Sequence, residues 1–147
     1  MADPALIDIA SDRLTAAINP FGAELTHLRD AEGRELMTNA DPAFWAKHAP
    51  ILFPAIGMTN GGVIRLGGAE YPMPKHGFAR DHMFALARHD HDSAVFHLAD
   101  SEQTRAHYPF AFLLEICFTL AGATLSLEAR IENRSGMAMP AQFGCHP

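Results

Sequence analysis

The chain has 147 residues, 48% of them hydrophobic and 19% charged, which is enough apolar surface for one domain with a real core and excludes a disordered segment. Its formal net charge of −6, with eleven scattered Lys and Arg, excludes the concentrated basic surface that nucleic acid needs. Two cysteines in different surroundings make no disulfide framework, and no apolar run is long enough to span a bilayer as a helix.

The N-terminus, MADPALIDIASDR, has neither a basic leader nor a long apolar segment, so the expected compartment is the cytoplasm, with no membrane partner. Ala5 to Ala10 and Leu14 to Asn19 read as strands joined by the turn Ser11-Asp12-Arg13. After the turn Asn19-Pro20-Phe21-Gly22, residues 23 to 29 alternate, with Ala23, Leu25 and His27 on one face. A turn at Glu32-Gly33 leads into a further short strand, Glu35 to Thr38. Asp41 and Pro42 suit the start of one helical turn, Asp41 to His48, with Phe44 and Trp45 packing it onto the core.

Residues Ala49 to Asp81 hold Pro50, Pro54, Pro72 and Pro74 among six glycines, so no long helix runs through them. This stretch closes on the polar cluster Lys75-His76-Gly77-Phe78-Ala79-Arg80-Asp81, the composition of a binding loop. Alternation then resumes. His82 to His89 and Ala94 to Ala99 are strands around the turn Asp90 to Ser93. Asp100 or Ser101 caps a short polar helix, Leu113 to Leu120 and Thr124 to Glu132 form a hairpin across Ala121-Gly122-Ala123, and Met137 to Cys145 begins another strand. Strands at this spacing, joined by turn chemistry, predict an all-β antiparallel β-sandwich. No linker or repeat divides it, so residues 1–147 read as a single β-sandwich domain. The ending, Gly144-Cys145-His146-Pro147, reads as cut in mid-element, the N-terminal portion of a longer domain with unpaired edges that leave a homodimer open.

Nine histidines invite metal chemistry, but His89-Asp90-His91-Asp92 reads as a solvated turn, and neither HExxH nor CxxC is present, so no metal is expected. Cys117 sits inside a strand as a small hydrophobe, and Cys145 and His146, as strand neighbours, point to opposite faces. There is no GxSxG elbow, and the glycines make no phosphate cradle opening a helix. His76, between Pro74 and Gly77, and His146, between Gly144 and Pro147, stand out as imidazoles held by turn residues, suited to proton transfer near neutrality.

Several pieces, in order, carry a family resemblance: Phe21-Gly22-Ala23-Glu24-Leu25; Trp45 through Ala49-Pro50-Ile51-Leu52-Phe53-Pro54 and Gly57; His76-Gly77-Phe78-Ala79-Arg80-Asp81; Ser101-Glu102-Gln103-Thr104 with Tyr108-Pro109-Phe110; Asn133; and Met139-Pro140 leading to Gly144-Cys145-His146-Pro147. Together they resemble the aldose 1-epimerase (galactose mutarotase) family, and most of all its LacX-like, mutarotase-related branch. The resemblance implies the galactose mutarotase-like sandwich and interconversion of the α and β anomers of a free aldose or sugar phosphate. In that chemistry a histidine acid protonates the ring oxygen, a glutamate base takes the C1 hydroxyl proton, and no cofactor is used.

Residue by residue, the resemblance makes His146 the histidine acid and His76 a second active-site histidine that contacts the sugar. It makes Arg80 a substrate-binding residue that in the sugar-phosphate branch helps hold a phosphate. Where the family often has arginine after Gly57, this chain has Met58, and the glutamate base belongs to the family's C-terminal part, beyond residue 147. The alternative expectation is a non-catalytic carbohydrate-binding or regulatory sandwich.

Overall fold

The computed structural model describes Asp3 to Pro147. Strands β1 (Ile7–Ala10), β2 (Leu14–Asn19) and β3 (Glu24–Asp30) form a three-stranded antiparallel sheet. Strands β7 (Ala85–His89), β8 (Ser93–Ala99), β9 (Phe112–Ala121) and β10 (Thr124–Asn133) form a second, in the order β10-β9-β8-β7. Two ribbons complete the set: β4 (Ile51–Leu52) pairs with β11 (Gly144–Cys145), and β5 (Val63–Leu66) pairs with β6 (Ala69–Pro72). The one α-helical turn among the described residues, α1 (Glu102–Arg105), is capped by Ser101, whose side chain accepts the Thr104 amide while the Thr104 hydroxyl accepts the Ser101 amide. No helix among the described residues is long and apolar enough to cross a membrane.

Alternation explains how the layers meet. Along β9, Phe112, Leu114, Ile116, Phe118 and Leu120 are buried while the residues between them stay partly exposed, so one face is committed to the core. Phe96 and Leu98 of β8 extend that face, and Ile9, Ala16, Ile18 and Leu25 of the small sheet belong to the same cluster. The β-sandwich is therefore closed by one apolar core, with each buried Phe or Ile contributing about 1.5–3 kcal/mol.

Several local expectations are corrected. Ala17 faces His27 but Ile18 faces Leu25, so Thr26 is an extra residue in β3. This bulge turns Leu28 rather than His27 onto the core. Glu35 makes only an isolated bridge to Arg29 instead of starting a strand. Residues 41–48 form a turn and no helix, with the Ala43 amide on the Asp41 carboxylate. Phe44 is 90% exposed and Trp45 42% exposed, so neither anchors that turn to the core. β7 is exposed along its whole length, because it is an edge strand whose register shifts between Leu86 and Arg88, and the buried residue is Phe84 just before it. From Met137 onward only Gly144 and Cys145 are strand. Pro140 brings no amide, its carbonyl accepts the Tyr108 hydroxyl at 2.6 Å, and the Gln142 amide goes to the Pro54 carbonyl at 2.9 Å.

The segment around β4 lies at the centre of this assembly. Phe53 packs against Phe78, Tyr108 and Phe112 at ring-centroid distances of 6.2, 5.9 and 5.4 Å. Burial pushes the Tyr108 hydroxyl up to about 12. The Phe53 carbonyl accepts the amides of Phe78 and Ala79 at 2.9 and 3.1 Å, and Gly77 passes directly over it. A Cβ on Gly77 would lie 2.1 Å from the Phe53 oxygen, at a φ of 74° that already favours glycine. Gly77→Ala is therefore expected to cost on the order of 3 kcal/mol or more in urea unfolding. Gly33→Ala, at φ 79° with open space around it, should cost only the backbone penalty of about 1–2 kcal/mol. Equal losses for the two variants would show that the close approach at Phe53 does not govern stability.

Candidate functional site

The two faces of the β4 segment carry the two histidines singled out by the sequence. On one side, Cys145 pairs with Ile51 and the His146 amide donates to the Pro50 carbonyl at 3.2 Å, which fixes where the chain leaves β11. On the other, the Phe53 carbonyl and the residues after it hold the His76 loop. The Gly57 carbonyl accepts the His76 amide at 2.9 Å, and the Gly57 amide donates to His76 Nδ1 at 2.9 Å. This two-way clasp makes Nδ1 the acceptor, so the neutral ring carries its proton on Nε2, the nitrogen left to donate.

His76 holds a left-handed backbone, φ 67°, which is unusual for a non-glycine residue and marks a conformation enforced by its surroundings. Desolvation, followed by the charges of Arg80, His146 and Lys75, holds its imidazole below the usual range. The amide bond to Nδ1 acts in the same direction, because protonation of that nitrogen would break it.

The rings of His76 and His146 meet edge to face with centroids 5.0 Å apart, and the Trp45 ring lies nearly perpendicular to that of His146 at 6.3 Å. Trp45, Lys75, His76, Arg80, His146 and Pro147 together line an open cleft of roughly 540 Å³. Arg80 donates from Nη2 to the Lys75 carbonyl at 2.8 Å, and its Nε lies 3.9 Å from Asp81. The structure thus brings His76, Arg80 and His146 into one cleft. Met58 is 64% exposed and is not among the residues that line it. Among the described residues no Asp or Glu side chain lines the cleft. Its equipment is two imidazoles, two cations and an indole face, a set that can donate hydrogen bonds, move a proton and stack on a flat apolar surface.

Sequence reasoning placed Lys75 in the binding-loop cluster without giving it a role of its own, expected Trp45 in the core rather than in the cleft, and missed the clasp from Gly57. The signal for Trp45 was a lone indole in a polar turn, and the signal for Gly57 was a glycine in a proline-rich run followed nineteen residues later by His76.

Six of the seven other histidines make side-chain bonds elsewhere, and His91 lies in the exposed turn before β8. His97 bonds to Glu115 at 2.6 Å and His27 to Glu35 at 2.8 Å, while His48, His82, His89 and His107 donate to backbone carbonyls. Cys145 directs its thiol to the Ala49 carbonyl at 3.6 Å, and burial, followed by the charge of Glu24, raises its pKa, the reverse of an activated nucleophile.

Known proteins share this fold and much of this sequence pattern. The chain is 29% identical, over 96% of its length, to the plasmid-borne protein LacX of Lactococcus lactis subsp. lactis, of which it covers 49%. A solved galactose mutarotase-like protein from Lactobacillus casei superposes with a TM-score of 0.94 at 35% identity, over 97% of this chain and 49% of that one. A galactose mutarotase related enzyme from Lactobacillus acidophilus superposes with a TM-score of 0.96 at 32% identity, over 97% of this chain and 48% of its own. The chain therefore spans about half the length of the relatives it matches, and its fold is the galactose mutarotase-like β-sandwich over that half. The sequence profile of the aldose 1-epimerases matches residues 5–147, nearly the whole of it, and the chain belongs to the aldose 1-epimerase family.

Proposed function

We propose that this chain supplies the histidine side of an aldose 1-epimerase site that interconverts the anomers of a free aldose or a sugar phosphate. The observation that carries the reading is the edge-to-face pair of His76 and His146, 5.0 Å apart in one polar cleft although seventy positions separate them in the chain. In this reading His146 delivers a proton to the ring oxygen as the bond from C1 to that oxygen breaks. A carboxylate base takes the C1 hydroxyl proton, and the open-chain aldehyde turns about its C1–C2 bond. The ring then closes on the other face, and both protons return. His76, kept neutral by burial and by the cations beside it, donates from Nε2 to a sugar hydroxyl and leaves His146 as the proton carrier. Trp45 offers its face to the sugar ring, and Arg80 with Lys75 offers donors to its oxygens or to a phosphate.

The base is assigned to a glutamate outside residues 1–147, in keeping with a cleft that no Asp or Glu side chain among the described residues lines. That same observation supports a second reading, a carbohydrate-binding sandwich without chemistry. Trp45 is the chain's only tryptophan, so its fluorescence reports occupancy of the cleft directly. Titration with galactose or glucose is expected to quench it saturably. Anomer exchange, followed by NMR or polarimetry, should be slow with residues 1–147 alone and fast in a protein that also carries the base. There His146→Asn should lower the rate by about 10²–10⁴-fold, and His76→Asn should weaken binding and turnover together. Rapid exchange by residues 1–147 alone would place the base within them and overturn its assignment. Saturable quenching with no exchange in the longer protein would establish the binding reading instead.

The depressed pKa of His76 has a second consequence. The unfolded chain takes up this proton as pH falls below the ordinary imidazole value of 6.5, whereas the folded chain resists it. The unfolded state then binds more protons, so stability is complete above pH 6.5 and declines as pH drops toward the lowered folded pKa. Asparagine tolerates a left-handed backbone and does not titrate, so His76→Asn should flatten the fall in urea midpoint below pH 6.5. An unchanged slope would show that His76 is not held neutral.

A further inference from the structure

The turn Phe21-Gly22-Ala23-Glu24 lies outside the cleft lining, yet it touches both of the cleft's supports. Gly22, at φ 81°, packs so closely on the backbone of Arg80 that a Cβ would lie 2.9 Å from the Arg80 oxygen, and its amide donates to the His82 carbonyl at 2.8 Å. Ala23 is fully buried at φ 46°, a left-handed conformation that an L-residue keeps only where its surroundings enforce it. The result of that conformation is the placement of Glu24. One oxygen of its carboxylate, Oε1, accepts both the His48 amide at 2.8 Å and the Ala49 amide at 3.1 Å. Charge-assisted bonds of this kind are roughly twice as strong as neutral ones.

The residues so tied are the joint between the Trp45 turn and β4. Trp45 lies three residues before His48. Ala49 is bonded on both sides of its backbone, its amide to Glu24 and its carbonyl to the thiol of Cys145, the neighbour of His146. Trp45 and His146 therefore meet over a joint that Glu24 clamps, while the same turn braces Arg80 across the cleft.

We propose that Glu24 is a positioning residue for the cleft, holding the Trp45 turn on the start of β4 and so setting Trp45 against His146. The assignment rests on the reading of the cleft as a sugar site, but the brace itself is tested without sugar. In Glu24→Ala, with the fold verified by circular dichroism, acrylamide should quench Trp45 more efficiently, because the turn is released. Galactose binding should weaken roughly tenfold, the equivalent of one bond to a charged group. Glu24→Gln keeps an acceptor oxygen and should restore both, which a residue acting only through its charge would not.

A third measurement reads the placement of the carboxylate. In a Cys117→Ser background, Glu24→Gln should shift alkylation of Cys145 to lower pH, because the anion beside the thiol is gone. Should Glu24→Ala fail to fold, amide hydrogen exchange in the unsubstituted chain decides, with His48 and Ala49 expected to be protected like the ladder amides of β4. Unchanged Trp45 quenching in Glu24→Ala, an unchanged Cys145 profile in Glu24→Gln, or fast exchange at His48 and Ala49 would overturn the proposal. If the unsubstituted chain binds neither galactose nor glucose, the sugar reading fails while the Trp45, Cys145 and exchange measurements still decide the brace.

Discussion

The bond from the Phe53 carbonyl to the amides of Phe78 and Ala79 is the contact on which the arrangement depends. It is possible only because Gly77 has no side chain, and it locks the His76 loop onto a segment buried in the aromatic core. The same segment, two residues earlier, pairs with β11 and sends His146 back toward that loop. A rigid short strand with a histidine hung from each side is a simple way to hold two imidazoles in register. Sites built on packed backbone vary less in geometry than sites on free loops. The cost is that the strand itself is only two residues long, so its order is borrowed from the core beneath it.

The electrostatics of the cleft follow from which groups share it. Lys75 and Arg80 flank His76, and a second imidazole lies against it, so every charged neighbour the cleft provides opposes a proton on that ring. The Gly57 amide completes the effect by occupying Nδ1. Two chemically identical side chains are thereby held in different ways, one clasped through Nδ1 by the Gly57 amide and the other packed against Trp45 and His76. This difference between like groups needs no unusual residue, only unequal burial and unequal backbone contact.

Much of the fold was legible because β8, β9 and β10 alternate cleanly and because turn residues punctuate the hairpins, as at Ala121-Gly122-Ala123. The small helix was legible from its Ser101 cap. What the pattern could not convey were events that break alternation: the extra residue at Thr26, the shift at Leu86 to Arg88, and the side-chain bonds that hold residues 137–143 in place of a ladder. Trp45 was misread for a related reason. Hydrophobicity says that an indole should be buried, whereas the Asp41 turn that carries it is built from polar bonds and stands at the surface. His76, Arg80 and His146 could be singled out from turn chemistry and resemblance, but their meeting in one cleft depends on the pairing of β4 with β11, which no local pattern encodes.

That pairing joins Ile51 to Cys145, ninety-four positions apart, and it has a temporal meaning. During synthesis the β4 segment emerges long before its partner, and its apolar residues Ile51, Leu52 and Phe53 wait while the hairpins of β7 to β10 are still being made. A contact this distant in sequence carries a larger loop-closure entropy than any hairpin of the fold. The histidine pair therefore cannot exist until the chain has been made through β11, however early the hairpins before it take shape.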